Sequence, residues 1–550
     1  MASAILYQAE GYDTSKPKLM GRHAAGEGFL SGLAQHGRAS SLACYTETAA
    51  GFEEFNEQLR SFTDRPPPTR WIPRDQPEQL ASVGCLYSPG PGLDVLAWKR
   101  RRSGDRGYSL CGVTHTIASA GATDALGNLV LGPVEEWDAV VCTSEAVRTA
   151  TVRMIDDWRE YLGERCGAVP PLRPQLPIIP LGVDCRRFSR QAASRADWRR
   201  RMGIAESSVV FLFVGRLSFH AKAHPLPMYL ALEQAARATG RRIVLIQAGW
   251  FANDALRRSF VDGARLYCPL VDVIFMDGRR PDVREHIWHA ADAFISLSDN
   301  VQETFGLTPV EAMAAGLPVV ASDWNGYRQT VVEGVTGFKI PTSMPAASTG
   351  VDLARRFADG VDSYDSYIGA SSQPIAVDVD AASRACTALA RDPALRARMG
   401  AAGRRRAEEM FDWRHVVRQY EELWMDLAAR RNHAPAHSGA KGTPDNLHPL
   451  RGNPFRTYSH YATRVLSDAD AVALASEAAK ARLRSVESNR MNTFADATLA
   501  PRARRAEIIE LLEKGPATIA TILQTLQPRE PDRLRRTVSW MLKCDILRLA

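Results

Sequence analysis

The sequence predicts an α/β protein: two doubly wound domains facing a cleft, followed by a small, mainly helical C-terminal module. Three observations carry this. A chain of 550 residues is too long for one hydrophobic core and calls for two or three domains. Short apolar runs alternate with amphipathic segments in two successive series, the pattern of parallel sheets with helical crossovers. Beyond a stretch rich in Pro, Gly and His that alternation stops, and short helical patterns take over.

The first series, in residues 1–190, offers SAILYQ, ASSLACY, VGCLYS, SLCGVTH, AVVCTS and PIIPLG as strands. A joint near 187–196 leads to the second series, residues 191–410, with VVFLFVG, RIVLIQAG, DVIFMD, AFISLS and PVVAS. Two such series imply two doubly wound sheets with a cleft between them. Within the second, residues 349–374 turn rich in Gly, Ser and Asp and read as an insertion. FDWRHVVRQYEELWMDLA predicts a long helix over 411–430, and 431–455 reads as a linker. In the extension 456–550, Ile508, Ile509, Leu511 and Leu512 mark one helix face, broken by Gly515 and Pro516. Helices over 518–526 and 533–542 and a final ILRLA strand follow, so 501–550 resembles a winged-helix module. Arg533, Arg535 and Arg536 on the third helix can reach phosphates, but such modules inside enzymes more often serve protein contacts. Protein contact through the extension is therefore the expectation, and nucleic acid is not.

Composition is that of a globular protein, 45% hydrophobic and 24% charged. Nine cysteines stand singly with no CxxC, which fits a reducing compartment and argues against a disulfide framework or a zinc site. The N-terminus reaches charge too soon for a signal peptide, and no run approaches the ~20 apolar residues of a membrane span. The expectation is a soluble, cytoplasmic protein. A formal charge of +7 suits anionic ligands, although it is common in arginine-rich chains. WKRRR (98–102) is the densest basic run. It can dock an anionic acceptor or the inner face of a membrane as a peripheral contact, but such runs are more often solvated faces.

The chemistry concentrates in QETFGLTPVEAMAAGLPVVASDWNGY. Seven residues separate Glu303 from Glu311, and FGLTP between them reads as a loop entering a helix, with Pro309 in its first turn. Free N–H groups of Phe305, Gly306, Leu307 and Thr308 can seat a phosphate. The two carboxylates then grip opposite ends of a nucleotide sugar, or they are an ordinary loop glutamate and a helix-start glutamate favoured by the dipole. Arg216 follows a predicted strand and Gly215, where its guanidinium can fork onto phosphate oxygens. Lys222 supplies a compact second cation. Gly21, Gly26 and Gly28 lie in the first loop, ahead of a helix, where glycine lets backbone approach a ligand. No GxGxxG fingerprint accompanies them, which weakens a dinucleotide reading.

The spacing of Glu303 and Glu311 with its EAMAAGLPVVASD continuation resembles the signature of glycosyltransferase family 4, retaining enzymes with two Rossmann-like domains, the GT-B fold. VVFLFVGRL, WDAVVCTSEAV, IIPLGVDCRRF and RMGAAGRRRAEEMFDWRHVVRQYEELW match in the expected order. The resemblance covers most of residues 1–430 and implies transfer of a sugar from a nucleotide sugar to a saccharide or lipid-linked acceptor, for a surface polysaccharide. It implies that Arg216 and Lys222 neutralise the diphosphate, that Glu303 meets the transferred sugar and that Glu311 accepts the ribose hydroxyls. Arg279 stands where the family binds the base, and His115 where it carries a histidine against the donor sugar. The long helix is implied to cross back onto the first domain.

Retention through front-face attack, with the leaving phosphate taking the acceptor proton, is likewise implied and needs no metal or other cofactor. DVD at 378–380 and DAD at 468–470 follow no donor-site strand and are expected to be solvated. Two departures stand out: SFHAKAHP lacks the usual Lys-Gly, leaving His220 or His224 to share the task of Lys222. DWNGYRQTV carries Asn325, Gly326, Tyr327 and Gln329 where many members have Gly-Gly and Glu. A GT-B epimerase or phosphorylase, and a DNA-binding regulator with a sugar-sensing body, remain alternatives.

Overall fold

The structure is a computed structural model that describes residues 3–14, 21–189, 192–435 and 448–550. The chain divides into two compact units, 1–447 and 448–550. Unit one holds two six-stranded sheets. The first contains β1 (Ser3–Leu6), β2 (Leu42–Thr46), β3 (Thr69–Pro73), β4 (Cys85–Tyr87), β5 (Ser109–Val113) and β6 (Ala139–Val141), in the order β3-β2-β1-β4-β5-β6. The second contains β7 (Val209–Val214), β8 (Ile243–Gly249), β9 (Val271–Asp277), β10 (Ala293–Ser296), β11 (Val319–Ser322) and β12 (Gly337–Ile340), in the order β12-β11-β10-β7-β8-β9. Every pairing in both sheets is parallel; the interior strands are buried on both faces by crossover helices, while edge strands β3, β9 and β12 are partly exposed. In each sheet the order reverses beside the first strand, which opens a crevice at the carboxyl ends of the strands.

Local chemistry accounts for the departures from expectation. PIIPLG is no strand: it runs along the edge of β6 with one isolated bridge, Ile178 to Cys142, just after a second from Gln175 to Ala139, because two prolines remove ladder donors. Conversely TRWIP is β3, an edge strand that tolerates its terminal proline. Gly21, Gly26 and Gly28 do not line a loop; they lie inside the helix Gly21–His36. A Cβ on Gly26 would stand 2.1 Å from the Gly11 carbonyl oxygen, and one on Gly28 would meet Trp413 at 3.0 Å. Those two glycines let elements pack; only Gly21 faces open space. Residues 15–20 of that loop lie outside the described residues, as do 190 and 191 of the joint.

The long helix spans Trp413–His433 and packs on the first sheet's helix Gly21–His36, with Phe29 and Tyr420 rings 4.9 Å apart. Its last turn takes up residues expected in the linker, of which 436–447 lie outside the described residues. The insertion forms regular secondary structure. It leaves on Thr342–Ser343, returns on Ala376–Val377 paired antiparallel to it, and builds helices Val351–Ala358 and Tyr364–Ser372 between. Arg356 bridges Asp362 at 2.8 Å, and Phe357 stacks on Tyr367 at 4.3 Å.

The WKRRR run is not a solvated face throughout. Arg100 is fully buried and clamps Asp138 with both terminal nitrogens, at 2.5 and 2.8 Å, while also donating to the Tyr108 and Pro133 carbonyls. Asp138 accepts the Leu110 and Glu135 amides as well, so both carboxylate oxygens and both terminal guanidinium nitrogens are satisfied, and only Arg100 Nε lacks a partner.

The second unit has its own apolar core, with Ile508, Ile509 and Leu512 buried as their spacing predicts. Helices Arg502–Leu512, Ile519–Leu526 and Pro531–Lys543 surround an antiparallel sheet in which Ala471–Leu474 lies between Ala517–Thr518 and Leu547–Leu549. The central strand therefore comes from ahead of the helices. Buried Arg505 ties this unit together, meeting Glu487 at 3.0 Å and also pairing with Asp496. Arg533, Arg535 and Arg536 each hold a partner within the unit: Glu530, Asp468 and the Thr498 carbonyl. Among the described residues, no helix is long and apolar enough to cross a membrane.

Candidate active site

The site is assembled from two loops at the carboxyl end of the second sheet. One follows β7 and carries Gly215, Arg216 and Lys222; the other follows β10 and leads through Glu303 into the helix Leu307–Ala314. Four side chains on the second loop buckle it to the first. Ser298 donates to the Lys222 carbonyl at 3.1 Å, and Asn300 to that of His220 at 2.8 Å. Gln302 donates to the Ala221 carbonyl, and Asp299 accepts the His224 amide at 3.3 Å. Sequence reading missed this buckle; its signal was the polar run SDN-x-Q directly after the apolar AFISL.

The buckle sets Lys222 against Glu303, and the two form an ion pair. Burial pulls the Lys222 ammonium down, but the Glu303 carboxylate outweighs it and holds the group above its ordinary value. Lys222 also folds over Gly215, where a Cβ would lie 3.4 Å from its Cε. Arg216 donates to the Ala221 carbonyl at 2.7 Å. Burial lowers its guanidinium below the usual range, and Asp365 and Tyr364 of the insertion oppose that. Lys222, Glu303, Gly215 and Arg216 are therefore brought together as the sequence predicts.

The helix Leu307–Ala314 starts from Gly306, at φ 88°. A Cβ there would come within 2.0 Å of the Tyr327 ring, so only glycine lets the helix start lie on that tyrosine. Phe305 is buried in the core against Phe411, and Leu307 and Thr308 open the helix. Glu311, one turn on, is half-buried. Burial pushes its carboxyl up to about 7, against the pull of Arg187, Arg284 and Lys222. Asp299 is likewise raised to about 7 by burial, with the His224 amide opposing.

His115 stands two residues beyond the end of β5. Burial and the nearby Arg22 lower it to about 4, so at neutral pH it is an uncharged hydrogen-bonding group. Arg279 stands apart from the cluster. It grips Asp277 through Nε and Nη2 at 2.9 and 2.8 Å at the end of edge strand β9. The divergent loop after β11 braces the site: Asn325 donates to the Glu303 carbonyl, and Trp324 to that of Asn300 at 3.0 Å. Tyr327 places its hydroxyl 3.0 Å from that of Ser296 beneath the helix start.

Contacts from the first domain close the cleft over this cluster. Ser144 donates to the Thr304 carbonyl at 2.7 Å, and the Glu145 amide to Gln329 Oε1 at 2.7 Å. Thr14 lies 3.5 Å from Arg284 Nη1. Among the described residues, no group of three or more His, Cys, Asp or Glu side chains converges to hold a metal. Of the two Asp-x-Asp triplets, Asp378 and Asp380 are exposed as expected, Asp378 capping the helix Val379–Arg391, while Asp468 and Asp470 are partly buried and hold Arg535 and Arg464.

Known proteins share this architecture. The Anabaena protein HepE, crystallised with UDP, superposes with a TM-score of 0.50 at 17% identity, covering 77% of this chain and 99% of HepE. The fold is GT-B. Residues 194–354, most of the second GT-B domain, match the family model described as glycosyl transferases group 1. A D-inositol 3-phosphate glycosyltransferase of Geodermatophilus obscurus is 33% identical over 254 residues, covering 42% of this chain and 51% of that protein. A lipopolysaccharide 1,2-N-acetylglucosaminetransferase of Salmonella typhimurium is 28% identical over 191 residues, covering 33% and 47%. The chain thus spans about half the length of these curated relatives.

Proposed function

We propose that this protein is a retaining, metal-independent glycosyltransferase moving a sugar from a nucleoside-diphosphate sugar to a saccharide or lipid-linked acceptor in surface glycoconjugate synthesis. The observation that carries the reading is the clustering of Arg216, Lys222 and the Gly306 helix start around Glu303. Two cations and a helix N-terminus converge where a diphosphate leaving group would gain charge as the bond from the anomeric carbon to phosphate oxygen breaks. The acceptor oxygen bonds to that carbon on the same face, and its proton passes to a departing phosphate oxygen, so no enzyme carboxylate acts as nucleophile. Glu303, pinned by Lys222, orients the sugar hydroxyls; uncharged His115 offers a hydrogen bond from the facing domain; Glu311 takes the ribose diol. Arg279 would assist the base only by leaving Asp277.

A thermal-shift screen of UDP- and GDP-sugars against wild type, Arg216→Ala and Glu311→Ala tests the reading. Wild type is expected to be stabilised by at least one donor and both variants markedly less. With inositol phosphate and lipopolysaccharide-type saccharides as first acceptors, release of nucleoside diphosphate together with a glycosylated product supports transfer. An epimerised sugar in place of that product sinks it, as does a wild type that responds to no donor.

A further inference from the structure

The insertion does not stand clear of the site. Gly369 packs on His220, where a Cβ would lie 3.1 Å from the histidine Cβ. This seats the helix Tyr364–Ser372 on the loop that carries Arg216 and Lys222. Tyr364, at the first position of that helix, is half-buried, and its hydroxyl meets two partners. It lies 3.1 Å from Thr116 Oγ1 in the first domain and donates to Gln302 Oε1 at 3.2 Å in the second. Thr116 is the neighbour of His115, and Gln302 is the neighbour of Glu303. The amide of Gln302 in turn donates to the Ala221 carbonyl, which also receives Arg216. A single hydrogen-bonded chain thus runs from Arg216 through Ala221, Gln302 and Tyr364 to Thr116. The helix is held firmly enough to bear this: Ser363 caps it, accepting the Ser366 amide at 3.1 Å.

We propose that Tyr364 is a positioning residue, supplied by the insertion, whose hydroxyl spans the cleft and sets the facing-domain group at His115 against Glu303 around the transferred sugar. The inference rests on the glycosyl-transfer reading. It deepens that reading by assigning closure of the sugar subsite, as distinct from the nucleotide subsite, to the insertion. Closure of this kind excludes water from the bond being broken, so its loss favours donor hydrolysis over transfer.

The test compares wild type with Tyr364→Phe, which keeps the ring and its packing, and with Thr116→Val and the double variant. Without ligand, hydrogen exchange in Tyr364→Phe is expected to quicken severalfold at amides of 116–119 and 364–372, while the rest of unit one is unchanged. With the nucleotide sugar that wild type uses, kcat for transfer is expected to fall about tenfold, the effect of one or two lost hydrogen bonds. Affinity for free UDP or GDP stays within about twofold, and the share of donor hydrolysed rises. The double variant should be little worse than either single one, because both break the same link. Unchanged exchange, or unchanged kcat with an unchanged hydrolysis share, overturns the proposal and leaves the function intact. If wild type neither binds nor turns over any nucleotide sugar, the transfer reading itself has failed and the positioning role falls with it, whatever exchange reports about the contact.

Discussion

Glu311 offers the sharpest quantitative test of the nucleotide site. Its carboxyl is raised from an ordinary 4.5 to about 7 because burial strips water from the charged form faster than Arg187, Arg284 and Lys222 restore it. About one carboxyl in ten is then ionised at pH 6 and about nine in ten at pH 8. The ionised form accepts both hydroxyls of a vicinal diol in charge-assisted bonds, so apparent affinity follows the ionised fraction. Binding of a nucleotide sugar should therefore tighten about ninefold from pH 6 to pH 8, read by calorimetry. The diphosphate of such a donor is esterified at both ends and does not titrate in that window, which makes it a cleaner probe than a free diphosphate. Glu311→Gln should flatten most of the profile. Asp299, raised to about 7 as well, touches the His224 amide rather than the helix start, and it accounts for any residue of pH dependence in that variant. Stability should move the opposite way. A carboxyl whose folded value exceeds its unfolded one binds more protons when folded, so stability falls as pH climbs from about 4.5 through about 7 and then levels. Glu311→Gln should accordingly melt higher than wild type at pH 8, by up to about 3 kcal/mol, while binding donor more weakly. A wild type whose affinity is flat between pH 6 and 8, or a Gln variant that keeps the ninefold slope, refutes the reasoning.

Two further substitutions probe the scaffold. Gly306→Ala forces a side chain into left-handed backbone at φ 88° and against Tyr327. It should cost at least about 2 kcal/mol in urea unfolding and abolish the thermal shift with nucleotide sugar, and a variant that melts and binds like wild type would show the helix start to be built differently. Asp138→Asn strands the Arg100 charge in a fully buried site. A loss of about 3–5 kcal/mol is expected, followed through the fluorescence of neighbouring Trp137, and a loss below about 1 kcal/mol would mean the pair is not buried in solution.

How far the sequence could be read depended on how far apart in the chain each interaction's partners lie. Runs such as VVFLFVG and RIVLIQAG announce themselves as buried strands because the information is local: every side chain must be apolar when both faces are covered. Glu303, Glu311 and the glycine before the helix are legible for the same reason, since a helix start and its flanks are a matter of a few residues. Where the partner is distant, local reading fails in a characteristic direction. Arg100 looks like part of a solvated basic run because Asp138, which makes its burial tolerable, lies 38 residues on. Gly26 and Gly28 look like loop glycines because the Gly11 carbonyl and Trp413 that demand them belong to other segments. Tyr364 is the extreme case. Its bond to Thr116 spans 248 positions, so nothing beside it in FADGVDSY could betray it; only its place in the insertion could have raised the question. The residues hardest to read are thus those that join one domain to the other. A two-domain transferase must close around its donor through contacts of this kind, while the groups that grip phosphate and sugar can all be carried on short loops of a single sheet. The family-model match accordingly falls in the second domain, and on the proposed transfer reading, whatever sets this chain's sugar or acceptor should be sought where the insertion and the first domain meet it.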